Sequence, residues 1–207
     1  MATQTVYIYH ITDTANLPSI LAAGGLCSDS AMTAAQNKNR NIGYNHIKQR
    51  RAAMNVACHT PKVVADFVPF YFCPRTPMLY TINQGNVPGC PAGSQATIVH
   101  LVSSVNVAIA TGKAWAFTNL SANASYPPKF YDDLAHLDQL QWSVIRSDQW
   151  SGRSQEKQAE FLVEDFFPFS AISTIGCHSP QIANQVAAMM NTLPNAPRVE
   201  HRPTWYY

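Results

Sequence analysis

Residues 156–165, EKQAEFLVED, set the sharpest constraint on the fold of this chain. Phe161, Leu162 and Val163 read as the buried part of a β-strand, yet Glu160 and Glu164 flank them. A carboxylate taken out of water costs several kcal/mol unless a cation or hydrogen-bond donors meet it. The rest of the chain must therefore bring a partner to this strand.

Other strand-like runs are TVYIYH (5–10), DFVPFYFCPRTPMLYTI (66–82, two runs broken at Pro74 and Pro77), ATIVHLVS (96–103), KAWAFT (113–118), SAISTIG and RVEH. Pro69 marks the first half of 66–82 as an edge strand or irregular, because proline cannot donate to a ladder. Helices are expected over DTANLPSILAAGG, capped by Asp13 or Thr14 and stopped at Gly24-Gly25, over IKQRRAAM, and over SPQIANQVAAMMNTL. Residues 83–95 read as a loop, and 119–154 as a long excursion without periodicity, of the kind that serves a site. Short strands with helices grouped near the two ends describe an α+β chain rather than a regular βαβ alternation. With 207 residues, no internal repeat and no dividing linker, a single domain over 1–207 is expected.

Only 13% of residues are Asp, Glu, Lys or Arg, about half the usual share, so each charge is informative. Between Lys38 and Arg75 lie seven of the fourteen basic residues and one acid, Asp66; between Asp132 and Asp165 lie eight of the twelve acids. Such a split describes either salt-bridged or solvated faces, or a basic groove for a polyanion. The five cysteines have neither CxxC spacing nor even number, which suggests neither a zinc site nor a disulfide framework and fits a reducing cytosol. MATQTVYIYHITDT lacks a basic leader and apolar core, and no run approaches 18 apolar residues, so a soluble cytoplasmic protein without a membrane partner is expected. Neither GxGxxG nor GxxxxGK[ST] occurs.

In order, TVYIYHITDTANLPSILAAGGL, IKQRRAAMNV, DFVPFYFCPRTPMLY and QAEFLVEDF resemble the DarT family of DNA ADP-ribosyltransferase toxins over nearly the whole chain. The resemblance implies the ADP-ribosyltransferase fold, a split mixed β-sheet with peripheral helices clasping NAD as co-substrate, with no metal. It implies transfer of ADP-ribose from NAD to a thymidine base in single-stranded DNA, opposed by an antitoxin macrodomain protein of the DarG type.

Carried over residue by residue, Glu160 corresponds to the catalytic glutamate, placed to face a sugar that gains positive charge as nicotinamide leaves. His10 and Thr12 correspond to cofactor-binding positions, Tyr71 to the aromatic near the nicotinamide, and Arg51 to an arginine serving the diphosphate and the attacked base. Gln158 is expected on the same strand face as Glu160, and Glu164, about 13 Å along the strand, in a structural ion pair. Arg75 in the basic segment, and Arg146, Trp150 and Arg153 in the excursion, are the expected DNA contacts, holding phosphates and stacking bases. Taken singly, each of these residues has an ordinary role as well: a structural histidine, a core aromatic, an exposed helix arginine. Two alternatives belong beside the transferase: a noncatalytic single-stranded nucleic-acid-binding protein, and a transferase whose acceptor is guanosine, RNA or protein.

Overall fold

The computed structural model describes residues 5–35, 40, 42–124 and 126–207, so Lys38 of the basic segment and the first four residues lie outside the described residues. An eight-stranded sheet runs in the order β10-β9-β4-β1-β3-β7-β5-β6. Its members are β1 (Tyr7–Asp13), β3 (Phe67–Tyr71), β4 (Ile98–Ser104), β5 (Trp115–Thr118), β6 (Phe130–Tyr131), β7 (Glu160–Glu164), β9 (Thr174–Cys177) and β10 (Arg198–His201). Only β9 and β10 run parallel; the other neighbours are antiparallel, which makes the sheet mixed. A small second sheet pairs β2 (Gly25–Cys27) with β8 (Phe166–Pro168).

The sheet is split between β1 and β3. Strand β1 follows β4 along its whole length, from Tyr7 opposite Ser104 to Asp13 opposite Ile98, but meets β3 only where Tyr9 faces Tyr71. Strand β3 in turn follows β7 from Phe67 opposite Glu164 to Tyr71 opposite Glu160. Proline placement explains the parting. The N and O of one residue in an antiparallel strand point the same way, and the Pro69 carbonyl faces β1, where it accepts from His10 Nδ1 at 2.9 Å. The missing N–H of Pro69 therefore lies on the open side. The edge expected at Pro69 is real, but it is an edge internal to the sheet.

Period-two alternation turns successive strand residues toward opposite faces of the sheet, and two of the three apolar clusters among the described residues flank β3 and β7. Phe70, Phe117, Phe161 and Val163 face the larger one, with Leu17 and Ile20 of α1 (Leu17–Ala22), Phe167, and Val186 and Met190 of α8 (Pro180–Met190). Phe67, Ala116 and Leu162 face the other side, against Val56, Val64 and Ala122. Glu160, two residues before Leu162, shares that second face.

Local signals account for most helix ends. Asp13 caps the turn before α1 by accepting from the Ala15 amide, and Gly24, with φ +75°, lets the chain leave it. Ser179 caps α8 with Pro180 in its first turn. The same pattern overturns one expectation: PMLYTI is not a strand but the helix α4 (Pro77–Asn83), because Thr76 accepts from the Leu79 amide and Pro77 occupies its first turn. Gln158 is likewise off β7, not on the same strand face as Glu160. It closes the short helix α7 (Ser154–Lys157) and its amide donates to the Ser154 carbonyl. The helices α2 (Asp29–Ala34), α3 (Asn45–Ala53), α5 (Val105–Ala110) and α6 (Trp142–Arg146) complete the periphery. Among the described residues no helix is long and apolar enough to cross a membrane.

Candidate active site

Glu160 opens β7 and is only 2% exposed. Its backbone N–H donates at 3.1 Å to Thr118 Oγ1, whose own hydroxyl donates to the Leu120 carbonyl at 2.6 Å. That side-chain bond ends the β5–β7 pairing, and the chain beyond β5 turns so that the Ala122 amide donates to Glu160 Oε1 at 2.9 Å. From the other side α3 brings Arg51, whose Nη1 donates to both carboxylate oxygens at 3.0 and 2.9 Å. The carboxylate at the head of this apolar strand thus has its partners: one guanidinium and one backbone amide.

The Arg51 side chain is 12% exposed. Burial works against its charge, but Glu160 more than offsets this and holds the guanidinium pKa above its ordinary value. Its second amino group, Nη2, is buried and has no hydrogen-bond partner among the described residues. A buried donor of this kind costs about 1–3 kcal/mol until something accepts from it. Beside the pair stands Tyr71, in register with Glu160. Burial, then the Glu160 charge, pushes its phenol far up, so the ring stays neutral.

His10 lies one residue past Tyr9, which is in register with Tyr71 of β3. A carbonyl can only accept, so the 2.9 Å contact with the Pro69 oxygen puts the proton on Nδ1 and leaves Nε2 as an acceptor. Burial lowers the ring's pKa below its usual value, which keeps it neutral. Thr12 is buried, and its hydroxyl oxygen accepts from Asn16 Nδ2 at 3.1 Å. That same amide grips one residue twice: Asn16 Oδ1 accepts from the Arg40 N–H at 2.7 Å and Nδ2 donates to the Arg40 carbonyl at 3.0 Å. The Arg40 guanidinium then pairs with buried Asp13 at 3.0 Å. This clamp beside His10 and Thr12 was not foreseen from sequence, where Asp13 read only as a helix cap.

The expected DNA contacts fall elsewhere. Arg75 and Arg146 line a cavity of about 680 Å³, together with Tyr9, Phe72, Trp142 and Lys157, and neither Arg51 nor Glu160 lines it. Arg75 pairs with Asp148 at 2.8 Å and lies over the Tyr207 ring; Arg146 lies over Trp142. Trp150 donates to the Tyr207 hydroxyl at 3.1 Å, and Arg153 pairs with Glu156 at 2.6 Å. The basic segment is not a bare groove. Arg40, Lys48, Arg51, Lys62 and Arg75 each hold an acid, respectively Asp13, Asp29, Glu160, Glu164 and Asp148. Glu164 thus takes the structural ion pair expected of it.

A buried glutamate on a split, mixed sheet, faced by an arginine with a spare donor and a neutral tyrosine, is the arrangement expected of an ADP-ribosyltransferase site. Comparison with known proteins agrees: residues 9–207 match the sequence model of the DarT family, described as ssDNA thymidine ADP-ribosyltransferase. A DNA ADP-ribosyl transferase of Thermus aquaticus is 39% identical over 97% of this chain and 88% of its own. The structure of Thermus sp. 2.9 DarT in complex with ADP-ribosylated ssDNA is 36% identical, covers 99% of this chain and 98% of its own, and superimposes with a TM-score of 0.90. The same protein in complex with NAD+ superimposes with a TM-score of 0.83, at 33% identity and full coverage of both chains. The chain belongs to the DarT family of single-stranded-DNA thymidine ADP-ribosyltransferases.

Proposed function

We propose that this chain transfers the ADP-ribosyl group of NAD to a thymine base of single-stranded DNA, as the toxin of a toxin–antitoxin pair. The observation that carries the reading is buried Glu160, gripped by Arg51 and the Ala122 amide on the face where Tyr71 stands. The residues present suit NAD. The spare Nη2 of Arg51 is a donor for a diphosphate oxygen or a base carbonyl, His10 Nε2 an acceptor for a ribose hydroxyl, and Tyr71 a flat neutral ring for the nicotinamide. When bound, NAD supplies a ribose whose bond to nicotinamide breaks with oxocarbenium-like charge on the sugar.

Glu160 stabilises that charge, and its two fixed donors hold the carboxylate in one orientation so that little reorganisation is needed as charge grows. Arg51, reaching a base carbonyl through Nη2, favours loss of the thymine imide proton. Thr12 completes the cofactor contacts on β1. Arg75, Arg146, Trp150 and Arg153 are assigned to the DNA strand; the first two share a cavity with Trp142, a combination suited to a phosphate and a stacked base. An unpaired strand is the economical acceptor because a base in duplex must first be unstacked, at a few kcal/mol. The partner is a DarG-like macrodomain protein that hydrolyses the base-linked ADP-ribose. The toxin acts in the cytoplasm, a setting that suits five unpaired thiols.

Acceptor choice is tested by competition. Equal amounts of thymine-only, guanine-only and RNA oligonucleotides are incubated with the protein and NAD, and adducts are assigned by mass spectrometry. The expected result is modification of thymine in DNA that a macrodomain hydrolase reverses; preferential labelling of guanine, RNA or the protein itself overturns the assignment.

A further inference from the structure

The loop that follows α3 returns tightly on itself. Asn55 bridges to Val63, the Val56 amide donates to the Lys62 carbonyl at 2.8 Å, and the Lys62 amide donates to the His59 carbonyl at 2.9 Å. Cys58 and His59 sit on the single helical turn inside it, Ala57–His59, against which β6 packs. Asp132 is the residue that leaves β6. Together the Cys58 sulfur, a ring nitrogen of His59 and a carboxylate oxygen of Asp132 lie within 4.8 Å of one another.

The chemistry of these groups is directional. His59 Nε2 lies 2.8 Å from the Trp115 carbonyl oxygen, so it carries the proton and Nδ1 holds the lone pair. A histidine that donates one N–H to a carbonyl and offers the other nitrogen is the usual arrangement of a metal-ligating imidazole. Sulfur, nitrogen and oxygen donors on three side chains match the preferences of a borderline-soft divalent ion of the zinc class. With bonds of about 2.0–2.3 Å, a tetrahedral site sets its donors about 3.5 Å apart. Contraction from 4.8 Å is within reach of Asp132, which is exposed.

We propose that Cys58, His59 and Asp132 bind one thiophilic divalent cation of the zinc class, tying the loop behind α3 to the edge strand β6. The Cys58 thiol loses its proton to solvent on binding, and three protein ligands leave a fourth position for water. Cysteine spacing gave no hint of this site because it uses only one of the five. The ion bridges two segments rather than acting in the transfer: one holds the end of the helix that bears Arg51, and the other is the sheet edge.

Cobalt(II) tests the proposal directly, added to the whole chain after chelation. The expected result is a thiolate-to-cobalt charge-transfer band that saturates at one ion per chain, is displaced by zinc, and accompanies a rise in melting temperature. Cys58→Ser abolishes the band, and Asp132→Asn, a surface change that leaves the fold intact, weakens cobalt affinity at least tenfold. Cys27→Ser retains both, which separates this site from the other half-buried thiol. No band in the unaltered chain, a band that survives Cys58→Ser, or unchanged affinity in Asp132→Asn overturns it.

Discussion

At the scale of single residues the site rests on one buried pair. Arg51→Ala would leave the Glu160 carboxylate buried with the Ala122 amide as its one remaining donor among the described residues, and breaking such a pair costs about 3–5 kcal/mol. The urea midpoint is expected to fall accordingly, and Arg51→Lys to restore part of the stability while transfer stays low, since the single nitrogen of an ammonium cannot both hold Glu160 and reach the place of Nη2. Retention of full activity in the lysine variant would deny that donor a role. His10→Leu is expected to raise the KM for NAD about fivefold with a smaller change in kcat, as one hydrogen bond of about 1 kcal/mol is lost; an unchanged KM would leave His10 a purely structural residue. Glu160, Arg51, Tyr71 and His10 were legible because each is a side chain inside a recognisable run. The Ala122 amide was not: a backbone donor has no residue signature, and only the turn set by Thr118 aims it at Glu160.

At the scale of elements, the clamp that Asn16 makes on the Arg40 peptide joins the β1–α1 corner to the approach to α3. Asn16→Ala removes its bonds to the Arg40 N–H and carbonyl and to Thr12, with an expected loss of about 1–3 kcal/mol per group left unsatisfied. Calorimetry should record this as about 2–4 °C for each kcal/mol in a chain of this size. An unaltered melting temperature would mean that the clamp contributes nothing. Proline shows both the power and the limit of reading elements from sequence. Pro69 announced an edge, and the edge exists, but only the pairing of β1 with β4 reveals that it borders an opening in mid-sheet. Pro77 read as a strand break, whereas Thr76 before it made it the start of α4. Apolar periodicity over so short a run does not separate strand from helix. The small β2–β8 sheet went unread because each strand has only three residues.

At the scale of the molecule, the α+β class was legible in the succession of short strands and the split, mixed sheet in the family resemblance, while the charge split along the sequence proved to be in part mutual pairing, of Arg51, Lys62 and Arg75 with Glu160, Glu164 and Asp148. Stability should also respond to acid through the core. His100, fully buried against the Pro74 carbonyl, has its pKa lowered by burial to about 4. The unfolded chain binds that proton first, so stability is complete above the ordinary value of about 6.5 and declines as pH falls from there to about 4, by about 3 kcal/mol. Denaturant titrations across that range should show the decline in the native chain and lose most of it in His100→Gln. An equal slope in both would locate the acid sensitivity elsewhere. The central claim concerns Glu160 and is tested most directly by comparing the native chain with Glu160→Gln on a thymine-containing single strand, with NAD, following the adduct by mass spectrometry and binding by fluorescence anisotropy. The expected result is one ADP-ribose added to thymine by the native chain and a rate about 100-fold to 1,000-fold lower in the variant, with the strand still bound. Undiminished transfer by the variant, or NAD hydrolysis by the native chain with no adduct on the DNA, would contradict it.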